Sequence, residues 1–116
     1  MHDWDAYQEP LLSTIRDIAK VSPGTMRGYR ELGEAGSKAD LLGTRTREPF
    51  ALAVAVTQQC DGCITIHTSA AMKHGATREE IVEAPGVAIA VNAGAALVYS
   101  ARAMDAFAAK ESSGQS

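Results

Sequence analysis

Phe50–Gly75 reads FALAVAVTQQCDGCITIHTSAAMKHG. Its first seven residues, FALAVAV, are apolar enough to form a buried strand on their own. Their alanine content and the helical character of both flanks favour a helix buried on most sides. From Cys60 the pattern reads as another helix, with the two cysteines in its first turn. Gly75 stands where a C-terminal glycine cap belongs. Two helices in tandem make this an all-α chain, and the rest of the sequence agrees with that.

Upstream, residues 3–20 place Trp4, Tyr7, Leu11 and Ile15 at intervals of three or four, the spacing of one helix face. Ser22-Pro23 matches an N-cap followed by proline at the first helical position, opening a second helix to about Ala35. Gly36–Thr46 reads as a polar connection. Thr46 can cap the third helix, placing Glu48 and Pro49 in its first turn, where proline is tolerated. Downstream, Thr77-Arg78-Glu79-Glu80 fits a capping box and opens a fifth helix. Pro85 and Gly86 then kink or end it. Asn92–Lys110 reads as the last, giving about six helices, and residues 111–116 as a frayed tail. No internal repeat or linker divides the chain, so residues 1–116 are read as a single domain.

The chain has 116 residues, a net charge of −3 and only 5% aromatic residues. It lacks the basic footprint of a nucleic-acid binder. No apolar run is read as reaching the roughly 18 residues of a membrane span. The acidic, polar start MHDWDAYQEP does not resemble a signal peptide. These features lead to the expectation of a cytoplasmic protein that binds neither nucleic acid nor membrane. In a reducing cytosol a lone C-x-x-C is more often catalytic or metal-binding than a permanent staple.

Cys60 and Cys63 are the only cysteines. If the helix includes Cys60, then Cys60, Cys63 and His67 fall within a roughly 60° arc. A thiol in the first turn meets the positive end of the helix dipole, which favours the thiolate. His67, one turn on, can take or return a proton. That is the equipment for thiol–disulfide or peroxide chemistry. Other readings stand beside it. The cysteines can be plain core. Cys60, Cys63, His67 and His74 could be a metal set, but four ligands on one helix face converge poorly on a tetrahedral ion. A thioredoxin setting would need a strand before the C-x-x-C, and little strand pattern is present. His74 reads as a dipole partner at a helix end, Glu48 as a favourable first-turn charge, and His2 as too near the terminus for a role.

The run from Arg47 to Phe107, beginning REPFALAVAVTQQCDGCITIH, resembles the carboxymuconolactone decarboxylase superfamily, in its alkylhydroperoxidase D-like branch. That branch has a glutamate, then twelve residues on the first cysteine of C-x-x-C, then a histidine four residues after the second. Here those positions are Glu48, Cys60, Cys63 and His67, and the similarity covers about residues 40–108. The resemblance implies an all-helical, alkylhydroperoxidase D-like bundle assembled as trimers or hexamers. It implies a thiol-dependent peroxidase in which Cys63 attacks the peroxide, Cys60 resolves it to a disulfide, and Glu48 and His67 relay protons. No cofactor is held; an external dithiol, lipoyl-bearing in the best-known members, restores the thiols. The decarboxylases of the superfamily lack the C-x-x-C. Pro49, Gly62 and Pro85 depart from the family pattern, and Gly62 is read as leaving the dithiol more open. The alternatives are a redox-sensing or structural oligomer with a C-x-x-C switch, and a non-redox decarboxylase-like enzyme on the same scaffold.

Two expectations concern assembly. FALAVAV and GVAIAVNAGAALV have little polar face, so a homo-oligomer should cover them. A straight helix from Glu48 to Cys60 would separate them by about 18 Å. Two arrangements meet that gap: a break within Thr57–Gly62 that folds the dithiol back, or, the one favoured here, a site completed across a subunit interface, with Glu48 reaching a neighbour's thiols.

Overall fold

The computed structural model describes residues 1–114, and among these residues it is helical with no strand. Five helices follow in order: α1 (Trp4–Val21), α2 (Pro23–Ala39), α3 (Thr44–Thr57), α4 (Asp61–Lys73) and α5 (Arg78–Ser112). Asp3 caps α1 by accepting the Ala6 N–H through its side chain, and Thr77 caps α5 by accepting from Glu80. These are the short acceptors that helix starts favour.

The centre of the molecule is α3, which packs against α4 on one side and the first half of α5 on the other. Its buried residues are Leu52 and Ala55. The other buried apolar residues are all small, Ala71 on α4 and Ala84 and Ala88 on α5. Small side chains let the axes approach closely. α1 lies along α4 and pairs with α2. A charged tie, Arg47 to Asp40 at 2.9 Å, fastens the end of α2 to α3.

Several boundaries differ from those read in the sequence. α2 continues to Ala39, so the polar connection shrinks to residues 40–43, with Asp40 in the left-handed region (φ 45°) ending the helix. α3 starts at Thr44, capped by Gly43 (φ 76°) and not by Thr46. Glu48 and Pro49 therefore lie beyond the first turn, and Pro49 forfeits one internal hydrogen bond.

The count is five helices and not six, because α5 runs through Pro85-Gly86 without interruption. The physical reason lies on either side of that pair. Ala84 and Ala88 are both buried against the rest of the fold. Packing holds the helix across a local breaker, as tertiary context overrides propensity. At the far end, the segment expected to fray from Glu111 is helical to Ser112. Gln115 and Ser116 lie outside the described residues.

The membrane expectation also needs correction. No Asp, Glu, Lys or Arg occurs between Glu83 and Arg102. By length and composition alone, α5 is long and apolar enough to cross a membrane.

Candidate functional site

The site is built on the turn between α3 and α4. α3 ends in a left-handed cap: Gln59 adopts φ 54°, its N–H bonds to Val56 O at 3.1 Å, and the Cys60 N–H reaches Ala55 O at 3.0 Å. This paired pattern is the Schellman motif. It reverses the chain within three residues and sends α4 back along α3. Gly75 (φ 89°) closes α4 the same way, with the Ala76 N–H on Ala71 O at 2.9 Å, as its glycine led one to expect.

Cys60 is not the first residue of α4 but its N-cap, with extended backbone (φ −101°, ψ 96°). Its Sγ accepts the Cys63 N–H at 3.1 Å. A sulfur takes the place that serine or aspartate usually fills. Cys60 and Cys63 are joined as a disulfide, with Cα atoms 5.2 Å apart, and both are half-buried. Cys63 lies in the first turn of α4, and His67 follows at i+4, the spacing of side-chain neighbours.

The α3–α4 hairpin then decides the question of Glu48. Its Oε2 lies 2.7 Å from His67 Nδ1 in the same chain. The distance along α3 is real, but α4 runs back over it, so the relay expected across a subunit interface closes within one subunit as far as His67. The side chains are 18% exposed for Glu48 and 33% for His67, which shields the pair from bulk solvent. A carboxylate only accepts hydrogen bonds, so Nδ1 donates to Glu48 and Nε2 is the ring nitrogen left for other partners.

The structure thus brings Glu48 to His67 and Cys60 to Cys63, the disulfide at the α3–α4 turn and the Glu48–His67 pair about a helical turn further along α4. His74 does not join them: it caps the opposite end of α4. The two sulfurs are bonded to each other, and among the described residues no three histidine, cysteine or acidic groups come together to hold a metal ion.

Sequence reasoning missed the contribution of α1. His2 Nε2 lies 2.6 Å from Asp61 Oδ2, inside the C-x-x-C. The space at Gly62 is taken up by α1. A Cβ there would stand 2.7 Å from Leu11 Cδ2 and 3.9 Å from the Tyr7 hydroxyl. Further along, Thr65, at 7% exposure, donates to Gln8 Oε1 at 3.3 Å. The usable signal was glycine in a helix first turn, which often marks close approach of another element.

A helical scaffold that presents a C-x-x-C disulfide at a helix start, with a histidine–carboxylate pair one turn away, defines a class of small dithiol proteins. The family model for the carboxymuconolactone decarboxylase family matches residues 23–106, so the chain belongs to that family. An uncharacterised protein of Haemophilus influenzae is 38% identical over 109 residues, covering 94% of this chain and 96% of its own. An uncharacterised protein of Cupriavidus necator is 30% identical over 90 residues, covering 78% and 80%. Among solved structures, the apo form of a carboxymuconolactone decarboxylase family protein from Legionella pneumophila is similar, with a TM-score of 0.72 at 35% identity. That similarity covers 90% of this chain and 93% of the other.

Proposed function

We propose that this protein is a thiol-dependent peroxidase that cycles Cys60 and Cys63 between dithiol and disulfide. The observation that carries the reading is the half-buried Glu48–His67 pair one helical turn from Cys63.

In the reduced protein, His67 Nε2 takes the Cys63 proton, and Glu48 steadies the imidazolium that forms. The Cys63 thiolate attacks one oxygen of a hydroperoxide. The O–O bond breaks, the alkoxide leaves with the proton from His67 as an alcohol, and Cys63 becomes a sulfenic acid. The Cys60 thiolate, held by the Cys63 N–H, attacks that sulfur. The S–O bond breaks, the leaving hydroxide takes up the proton that the Cys60 thiol gave up and departs as water, and the disulfide forms. An external dithiol, such as a lipoyl group, then reduces the pair by thiol–disulfide exchange and is itself oxidised to a disulfide.

Peroxide consumption with a reduced lipoyl dithiol tests this. The parent chain should turn over, and Cys63→Ser should not. If alkylating both cysteines leaves turnover intact, the thiol mechanism fails and a non-redox enzyme on this scaffold gains. If the dithiol cycles without consuming peroxide, a redox switch is the better reading.

A further inference from the structure

The α1–α2 hairpin is fastened to the rest of the molecule near its two ends, and one fastening lies within the C-x-x-C. Neither helix has a buried residue. The end of α2 is tied to α3 through Arg47, which reaches Asp40 and passes close to Gly36. The N-terminal end of the hairpin rests on α4. There His2 Nε2 meets Asp61 Oδ2 at 2.6 Å, Leu11 and Tyr7 close on Gly62, and Gln8 accepts a hydrogen bond from Thr65. The His2 ring stacks on Tyr7 at 5.1 Å between centroids and meets Trp4 edge-on at 5.0 Å. A segment with so few buried contacts opens at low free energy.

Asp61 and Gly62 are the two residues between the cysteines, so the disulfide closes a ring that contains both. At about 100° per residue, Asp61, Gly62 and Thr65 share a side of α4 away from Cys63 and His67. Any influence between α1 and the sulfurs therefore travels through the backbone of that ring. The seat fits closely: a Cβ on Gly62 would stand 2.7 Å from Leu11 Cδ2. Reduction breaks the S–S bond, and the two sulfurs separate from bonding to van der Waals distance. Cys63 is fixed in the first turn of α4, whereas Cys60 is the N-cap, with extended backbone. The separation is taken up on the Cys60 side, and Asp61 and Gly62 move with it. A shift at Gly62 spoils the fit to Leu11, and a shift at Asp61 loosens its contact with His2.

We propose that the N-terminal end of the α1–α2 hairpin is a redox-sensitive latch: the Cys60–Cys63 disulfide holds Asp61 and Gly62 where His2, Tyr7 and Leu11 seat, and reduction loosens the hairpin. This rests on the proposed dithiol cycle, but it concerns the disulfide alone and is read without peroxide. Coupling of this kind is reciprocal. A disulfide that favours the seated α1 is itself favoured by the seated α1, by the same factor.

Two measurements read the two directions. Amide hydrogen exchange and the fluorescence of Trp4, the only tryptophan, follow α1 in the oxidised and the dithiothreitol-reduced chain. Reduction should shift Trp4 emission to the red and speed exchange in α1 by about fivefold, the factor expected for weakening a few exposed contacts. Exchange in α3 should change little. In the Cys60→Ser, Cys63→Ser chain, dithiothreitol should alter neither signal. The reverse direction is read by equilibration with glutathione. Two glutathione thiols give two electrons to the disulfide, which becomes two thiols, and leave as glutathione disulfide. His2→Ala combined with Leu11→Ala should move that equilibrium toward the dithiol by about the same fivefold. Glu9→Gln, on the exposed side of α1, should leave it at the parent's value. Melting curves confirm that each variant is folded. Unchanged exchange in α1 on reduction overturns the proposal, and so does a double variant that equilibrates like the parent. If peroxide is not consumed but α1 still answers to reduction, the peroxidase reading fails and the latch stands.

Discussion

Glu48 and His67 are 19 residues apart in sequence and 2.7 Å apart in space. The carboxylate fixes which ring nitrogen carries the proton, and so leaves Nε2 facing its task. In the proposed cycle Glu48 acts through His67, as a positioning residue. Glu48→Ala should lower peroxide turnover by about 10²-fold, the low end of what general acid–base assistance supplies. Glu48→Gln, whose amide oxygen can still accept from Nδ1, should lose less. Stopped-flow peroxide consumption by both variants measures this, and Glu48→Ala activity equal to the parent's would discard the relay. At this scale the sequence was informative about identity and poor about contacts. Cys60, Cys63 and His67 declare themselves by spacing along one helix. His2 and Asp61 lie 59 positions apart, and no periodicity links them. Gly62 shows why: its missing side chain could mean open space or a neighbour pressed close, and only Leu11 in place decides between them.

The decisive element is the α3–α4 hairpin, and its turn rests on an unusual residue. Gln59 holds φ 54°, a region where a Cβ crowds the following carbonyl. Glycine would occupy it without that penalty. Gln59→Gly should therefore stabilise the protein by about 1 kcal/mol. Urea unfolding of the reduced chain measures it, with the slope unchanged. A clear destabilisation would mean that the Gln59 side chain contributes more than its backbone costs. The contrast with Gly75 explains what sequence could reveal. Both helices end in the same motif, but only the second carries the glycine that announces it. The turn without a glycine is the one that brings Glu48 to His67, so the intrachain contact was only one of two arrangements the sequence allowed, while both of its members were legible. Pro85 is the converse case. It announces a break that packing of Ala84 and Ala88 on either side prevents.

For the whole molecule, size and shape disagree with a monomer. A chain this long should have a radius of gyration of about 13 Å. The observed value is 20.0 Å. Its accessible surface is 8925 Å², against about 6,000 Å² expected for a compact monomer of this mass. The excess is over three times the roughly 800 Å² that each partner gives to an ordinary stable interface. α2 contributes to it, exposed from Arg27 to Ala39, and so does α5, where every described residue from Ile89 onward is exposed. The apolar groups there do not form one stripe. Val91 and Val98 share a side within about 20°, Leu97 and Met104 occupy a second, and Phe107 a third. A helix apolar all round belongs in an interior. Its one long uncharged run would also suit a bilayer, but α5 begins as a packed core helix whose Asn92 donates to Thr57 on α3 at 2.9 Å. The expected interior is therefore that of a homo-oligomer, with α5 reaching among neighbouring copies. Ultracentrifugation at micromolar concentration should show the parent as an oligomer, and Leu97→Asp with Phe107→Asp should shift it toward monomer. A monomeric parent would discard this arrangement. Because Glu48 meets His67 within one chain, each subunit carries its own Glu48–His67 pair. Mixing Glu48→Gln and Cys63→Ser subunits should then restore no activity beyond that of the separate variants, even after demonstrated exchange. Recovery on mixing would show instead that a neighbour's Glu48 serves the site.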